Sequence, residues 1–99
     1  MIEYATSIKD KFNDKLLNYN FMDNVNNVSL GHYVRYVDLY GEHLYSGGVI
    51  VKIDDTKIYF KSLFNKKIYN IIYNKWYVFY KEPEHKSSFR KFLEQYMKS

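Results

Sequence analysis

The chain has 99 residues, 46% of them hydrophobic and 20% aromatic, with a net charge of +4 and no cysteine. That length holds one domain (residues 1–99) and one modest core, which large rings help to close because each buries much area. Without cysteine there is no disulfide framework or thiolate metal site, and no apolar run reaches the roughly 20 residues of a membrane span, so the sequence reads as a soluble, non-secreted, non-membrane protein.

Charge is unevenly placed. Residues 1–49 hold four basic and six acidic side chains, a balance of −2, whereas residues 50–99 hold eleven and five, a balance of +6. Segregation of this kind steers an anionic partner to one side of a domain. Lys, Asn, Ile, Tyr and Phe, all encoded by A+T-rich codons, supply 49 of the 99 residues, so base composition contributes to the lysine and tyrosine content alongside any function.

The N-terminal segment predicts an amphipathic helix over 7–19. Ile8, Phe12, Leu16 and Tyr19 fall four, four and three residues apart, Ser7 is placed to cap it, and Asp10 suits its first turn. The polar run Asn24-Val25-Asn26-Asn27 ends it. From Gly31 the period changes to two: His32 to Tyr40 predicts a strand closed by a turn at Gly41-Glu42, and Leu44 to Ile53 a second strand. Paired glycines at 47 and 48 inside that second strand mark a bend or bulge. Asp54-Asp55-Thr56 is a hairpin turn, Lys57 to Leu63 the third strand, and Asn65-Lys66-Lys67 another turn. Ile68 to Tyr73 and Trp76 to Lys81 are the fourth and fifth strands. Pro83 stops the sheet, and Ser87 or Ser88 caps a final helix over 88–98 with Phe89, Phe92, Leu93, Tyr96 and Met97 on one face. Five short strands with a strongly bent second one predict a mainly β (α+β) fold: a five-stranded SH3-like small barrel over 31–82 flanked by N- and C-terminal helices.

Between Lys57 and Lys81 lie six lysines, nine aromatic residues and no Asp or Glu. Positive charge interleaved with rings suits a surface that grips phosphates and stacks on bases. Lys57, Tyr59, Lys61, Lys66, Lys67, Lys75 and Lys81 are the candidate nucleic-acid contacts. In the third strand Lys57, Tyr59 and Lys61 share one face, and Ile58, Phe60 and Ser62 the other. The alternative reading of that stripe is a solvated face with tyrosines lying between lysine stems. Nothing in the sequence reads as a recognition helix, so contact would be with phosphate and of low specificity. His32, His43 and His85 have neither metal-ligand spacing nor a paired nucleophile, and Gly47-Gly48 lacks the Lys-Ser/Thr of a phosphate-binding loop. The sequence therefore carries no catalytic residues and calls for no metal or cofactor: it reads as a binding protein, not an enzyme.

The block Gly31-His-Tyr-Val-Arg-Tyr-Val37, Gly47-Gly-Val-Ile-Val-Lys-Ile-Asp54, Lys57-Ile-Tyr-Phe-Lys61 and Trp76-Tyr-Val-Phe-Tyr-Lys81 resembles the small Tudor-like or SH3-like barrel proteins of large, A+T-rich nucleocytoplasmic DNA viruses. The likeness covers roughly residues 31–82. It implies a viral origin and a role in the virion or viral chromatin, with localisation to the virion or the host-cell cytoplasm where virus is assembled, and partners that are nucleic acid (DNA first), chromatin or virion proteins. Tudor-like barrels hold methylated lysine or arginine in a box of rings by cation–π attraction. On that reading Tyr33, Tyr36, Tyr40, Tyr45, Tyr59 and Trp76 are cage candidates, with Asp38 or Glu42 as the accompanying acid. A third reading is a structural virion component whose helices mediate self-association, with a homodimer through the C-terminal helix as one form of it.

Overall fold

In a computed structural model of the chain, residues 2–83 are described, with the side chains of Ile2 and Glu3 left aside. The expected C-terminal helix over 88–98 and His85 lie outside the described residues. The elements are α1 (Ile2–Lys11), β1 (Asn20–Phe21), β2 (Tyr33–Val37), β3 (Leu44–Ile53), β4 (Lys57–Lys61), β5 (Ile68–Ile72) and β6 (Tyr77–Lys81), with short 3-10 turns at Val25–Asn27 and Tyr73–Lys75.

The mainly β class holds, but the strand count and closure expected from the sequence do not. The strands form one six-stranded antiparallel sheet in the order β1-β6-β2-β3-β4-β5, open between its β1 and β5 edges. β2 to β5 run as a meander, and β6 returns across the sheet to pair with β2. The extra strand is Asn20–Phe21, paired with Tyr80 and Phe79; two residues carry no period, so nothing in the sequence announces it.

The first helix also differs. It ends at Lys11 rather than running over 7–19, and Ser7 lies inside it instead of capping it. Successive turns follow, closed by hydrogen bonds from Lys15 and Leu16 to the Phe12 carbonyl and from Tyr19 to that of Leu16. Asn18 takes a left-handed φ of 67°, which asparagine tolerates better than most residues and a helix does not. The apolar spacing was a true signal of burial all the same: Ile8, Leu16 and Tyr19 are buried, by a helix and turns instead of one helix.

Two hydrophobic clusters sit on the two faces of the sheet. On one face Val34, Ile50, Ile58, Phe60, Ile71 and Val78 pack with Met22 and Val28. On the other, Val37, Tyr77 and Phe79 are covered by Ala5, Ile8, Leu16 and Tyr19. Consecutive burial of Tyr77, Val78 and Phe79 follows from β6 being sandwiched between both clusters. α1 is tied to the β2–β3 turn by Lys11 Nζ donating to the Gly41 carbonyl at 2.8 Å and Tyr4 Oη to the Tyr40 carbonyl at 3.1 Å.

The bend expected at Gly47-Gly48 is present as a bulge. Val34 pairs with Gly48 and Arg35 with Ser46, so Gly47 is the extra residue; Val51 plays the same part between Ile50 and Lys52. The reason for the glycines is proximity. A Cβ on Gly47 would meet the Val34 carbonyl oxygen at 2.5 Å, and one on Gly48 would meet the Lys61 carbonyl oxygen at 2.0 Å.

His32 is expected to give the fold a pH dependence. Its ring stacks on Tyr80 (5.7 Å, 13°), and its Nδ1 accepts the Ser29 N–H at 3.2 Å, which requires the neutral form. Burial lowers its pKa, with Glu82 opposing. A folded-state pKa below the unfolded value of about 6.5 contributes stability at higher pH that is lost as pH falls through the folded value. Melting temperature is therefore expected to drop on acidification below about pH 6.5, and His32→Gln to flatten that part of the profile measured by circular dichroism.

Candidate nucleic-acid interface

The alternation in β4 places Ile58, Phe60 and Ser62 in the interior and Lys57, Tyr59 and Lys61 on the outer face, as the sequence spacing requires. On that face Lys52 Nζ lies 5.1 Å from the centre of the Tyr59 ring, and the Tyr59 hydroxyl bonds to the Asp54 carboxylate. Asp54 accepts the backbone N–H groups of Thr56 and Lys57, at 3.0 and 2.8 Å, and these hold its pKa low. The β3–β4 end of the stripe thus carries two carboxylates, Asp54 and Asp55. The β4–β5 end carries none.

That second end is a tight, polar-bonded turn. Lys66 N–H donates to the Ser62 carbonyl, Ser62 N–H to that of Lys67, and Lys67 N–H to Asn65 Oδ1. Lys66 adopts a left-handed φ of 60°, and both lysines are exposed. Phe64, in the same turn, is 85% exposed. It stands between two concavities. One of about 260 Å³ is lined by Tyr36, Ser46, Gly47, Phe60, Ser62, Phe64, Asn65 and Tyr69. A smaller one of about 90 Å³ runs along Tyr19, Tyr33, Arg35, the Gly47-Gly48 bend, Leu63 and Phe64. Among the described residues neither lining contains a carboxylate.

The remaining candidates separate. Lys81 lies in a cross-strand row on the outer face, opposite Tyr33, which is opposite Val49, which is opposite Lys61. It shares the Tyr19 ring with Arg35, at 5.7 and 5.1 Å from the ring centre. Lys75 is remote from the β4–β5 turn: its 3-10 turn is joined to the β3–β4 hairpin through Tyr73 N–H to the Thr56 carbonyl.

Of the cage candidates, Tyr36, Tyr45 and Trp76 converge. Tyr36 stacks on Tyr45 at 5.3 Å and meets Trp76 edge-on at 5.0 Å, with Tyr45 and Trp76 5.6 Å apart. Rings this close touch one another, leaving no gap between them for a quaternary ammonium group. Tyr33 belongs to the opposite face, Tyr40 lies exposed in the β2–β3 turn, and Tyr59 is on the outer face. Asp38 is occupied by its turn: burial works upward on its pKa, but the N–H groups of Glu42 and His43 outweigh it and lower the value. Tyr36 is shifted upward by burial and by Tyr45.

Sequence reasoning missed Phe64, Tyr69 and Arg35. An apolar Leu63-Phe64 pair directly before a polar Asn65-Lys66-Lys67 turn was the available signal. Among the described residues no three of His, Asp and Glu gather as metal ligands, and no helix is long and apolar enough to cross a membrane. No family model matches the chain, and neither does any curated protein or solved structure. The resemblance to viral barrels gains no support from these comparisons.

Proposed function

We propose that this protein is a non-enzymatic nucleic-acid-binding module whose contact surface is the β4–β5 turn and the outer face beside it. One observation carries the reading: Lys66, Lys67 and an 85%-exposed Phe64 occupy one turn, flanked by Lys61 and a concavity containing Arg35, with no carboxylate among the described residues of the lining. Lysine heads exposed at a protein surface attract phosphates, and rings beside them suit bases. Lys57 and Tyr59 sit further along β4 towards Asp54, Lys81 across the sheet, and Lys75 falls outside this surface.

The architecture we infer is SH3-like, elaborated by α1 and β1. Its support is the meander β2–β5, the sharply bent β3, and the 3-10 turn that leads β6 back to β2. Fold does not fix function, so the nucleic-acid reading rests on the turn and not on that likeness. A virion or viral-chromatin setting rests on the sequence resemblance alone. A methyl-lysine reader is the second reading, since Tyr36, Tyr45 and Trp76 converge, but it is disfavoured twice over: the three rings fill the space between them, and the lysines of the neighbouring turn repel a cationic ligand.

Fluorescence anisotropy of a labelled oligonucleotide titrated with the protein tests the proposal. Saturable binding is expected, with log affinity falling on log salt with a slope of roughly −2 for three phosphate contacts on a single strand. Absence of saturable binding at about 50 mM salt, the low end of the usual range, overturns it.

A further inference from the structure

We propose that the concavity beside Phe64 receives one unpaired base, which makes the ligand single-stranded; this rests on the nucleic-acid reading above. Tyr36 and Phe60 lie 5.8 Å apart and Phe60 and Tyr69 6.1 Å apart, so three rings form a continuous wall, with Phe64 at its rim. Tyr69 is fixed in that wall. Asn65 Nδ2 donates to its hydroxyl at 2.7 Å while Asn65 Oδ1 accepts the Lys67 N–H at 3.0 Å, which ties the ring directly to the lysine turn. The Phe64 N–H is likewise held by Ser62 Oγ at 3.2 Å.

Size, charge and polarity narrow the occupant. About 260 Å³ is just under the roughly 300 Å³ at which sites for drug-sized ligands begin, so it suits a single flat ring system. A cation is disfavoured because, among the described residues, no carboxylate lines the site, and Lys66 and Lys67 directly follow Asn65 of its wall. An anion with an aromatic group attached satisfies both parts: the base stacks, and its flanking phosphates meet the lysines. In a duplex that base is already stacked, and extracting it costs a few kcal/mol. A strand with free bases avoids this cost. α1 offers no substitute mode of reading a duplex, since it packs across Val37, Tyr77 and Phe79.

The test compares four probes on the intact chain: a labelled oligothymidylate, an abasic strand of the same length, a duplex, and a trimethyl-lysine peptide. The oligothymidylate is expected to bind at least about 5-fold tighter than the abasic strand, the lower bound for stacking one base on an aromatic side chain. Phe64→Ala should weaken oligothymidylate binding by about 5- to 150-fold and bring the ratio of the two strands towards one. Phe64 is exposed, so circular dichroism should show an unchanged melting curve. Equal binding of the base-bearing and abasic strands, or equal binding of the duplex, overturns the base site while leaving the phosphate surface standing. No binding of any nucleic acid overturns both readings, and peptide binding in its place moves the site to the reader class.

Discussion

Gly48→Ala is expected to be the most damaging single substitution in the sheet. The added Cβ would lie 2.0 Å from the Lys61 carbonyl oxygen, 2.7 Å from its carbon and 3.1 Å from the Ser62 Cα. All three are backbone atoms, so no rotamer change relieves the overlap; β3 and β4 must move apart. Overpacking of a rigid site costs about 1–3 kcal/mol and sometimes more, and an entirely backbone clash belongs at or above the upper end. A domain of this size has a total stability of roughly 5–15 kcal/mol, so a loss of about 3 kcal/mol lowers the melting temperature by roughly 12–24 °C. The damage should extend to binding, because the strained segment Lys61-Ser62 leads into the lysine turn. Thermal melts followed by circular dichroism check this. A shift of only a few degrees would mean that the two strands do not approach as closely as the geometry says. Phe64→Ala, which removes a larger side chain from an exposed place, is the proper comparison and should barely move the transition.

How much of this was legible in the sequence depends on whether a signal was local. The bounds of β3 at Leu44 and Ile53 could be read because turn residues stand on both sides. The division of β4 into Ile58, Phe60 and Ser62 against Lys57, Tyr59 and Lys61 is simple alternation, and it held. The stretch from Phe12 to Tyr19 read as helix because apolar spacing reports which residues are buried, not which backbone buries them. There, Asn18 in the left-handed region and packing on Val37 and Phe79 decided against a continuing helix. β1 was invisible because its two residues are strand only by pairing with β6. The site divides in the same way. The absence of acid between Lys57 and Lys81 is a property of composition and could be counted. Which tyrosines meet is a matter of register: Tyr36 and Tyr45 are direct cross-strand partners, while Tyr33 has the opposite parity and points to the other cluster. Arg35 comes near Phe64 only because the bulge at Gly47 folds β3 against both β2 and β4, a consequence of tertiary structure that no window of sequence contains.

Reversing the charge of the turn, Lys66→Glu with Lys67→Glu, is expected to give the largest loss of affinity. Each lysine on a single strand contributes about 0.7 to the salt slope, so removing both should lower its magnitude by about 1.4. Two new carboxylates beside the ring wall add repulsion to the lost attraction, and the affinity at low salt should fall roughly 100-fold, as expected for losing the larger part of the electrostatic contribution. Folding should be spared. Both residues are exposed, and glutamate is unbranched at Cβ like lysine, so the left-handed backbone at position 66 is no more strained than before. The control is Lys75→Glu. It makes a single charge reversal, but its 3-10 turn is joined to the β3–β4 hairpin, where Asp54 and Asp55 already offset positive charge, and its effect should stay within about 3-fold, the range of a screened, distant charge. Comparable losses in the two variants would show that phosphates track the outer face along β4 instead of gathering at the turn. An unchanged affinity in the double variant would remove the turn from the site altogether. The exposed Phe64 and the tethered Tyr69 would then be covering that end of the core.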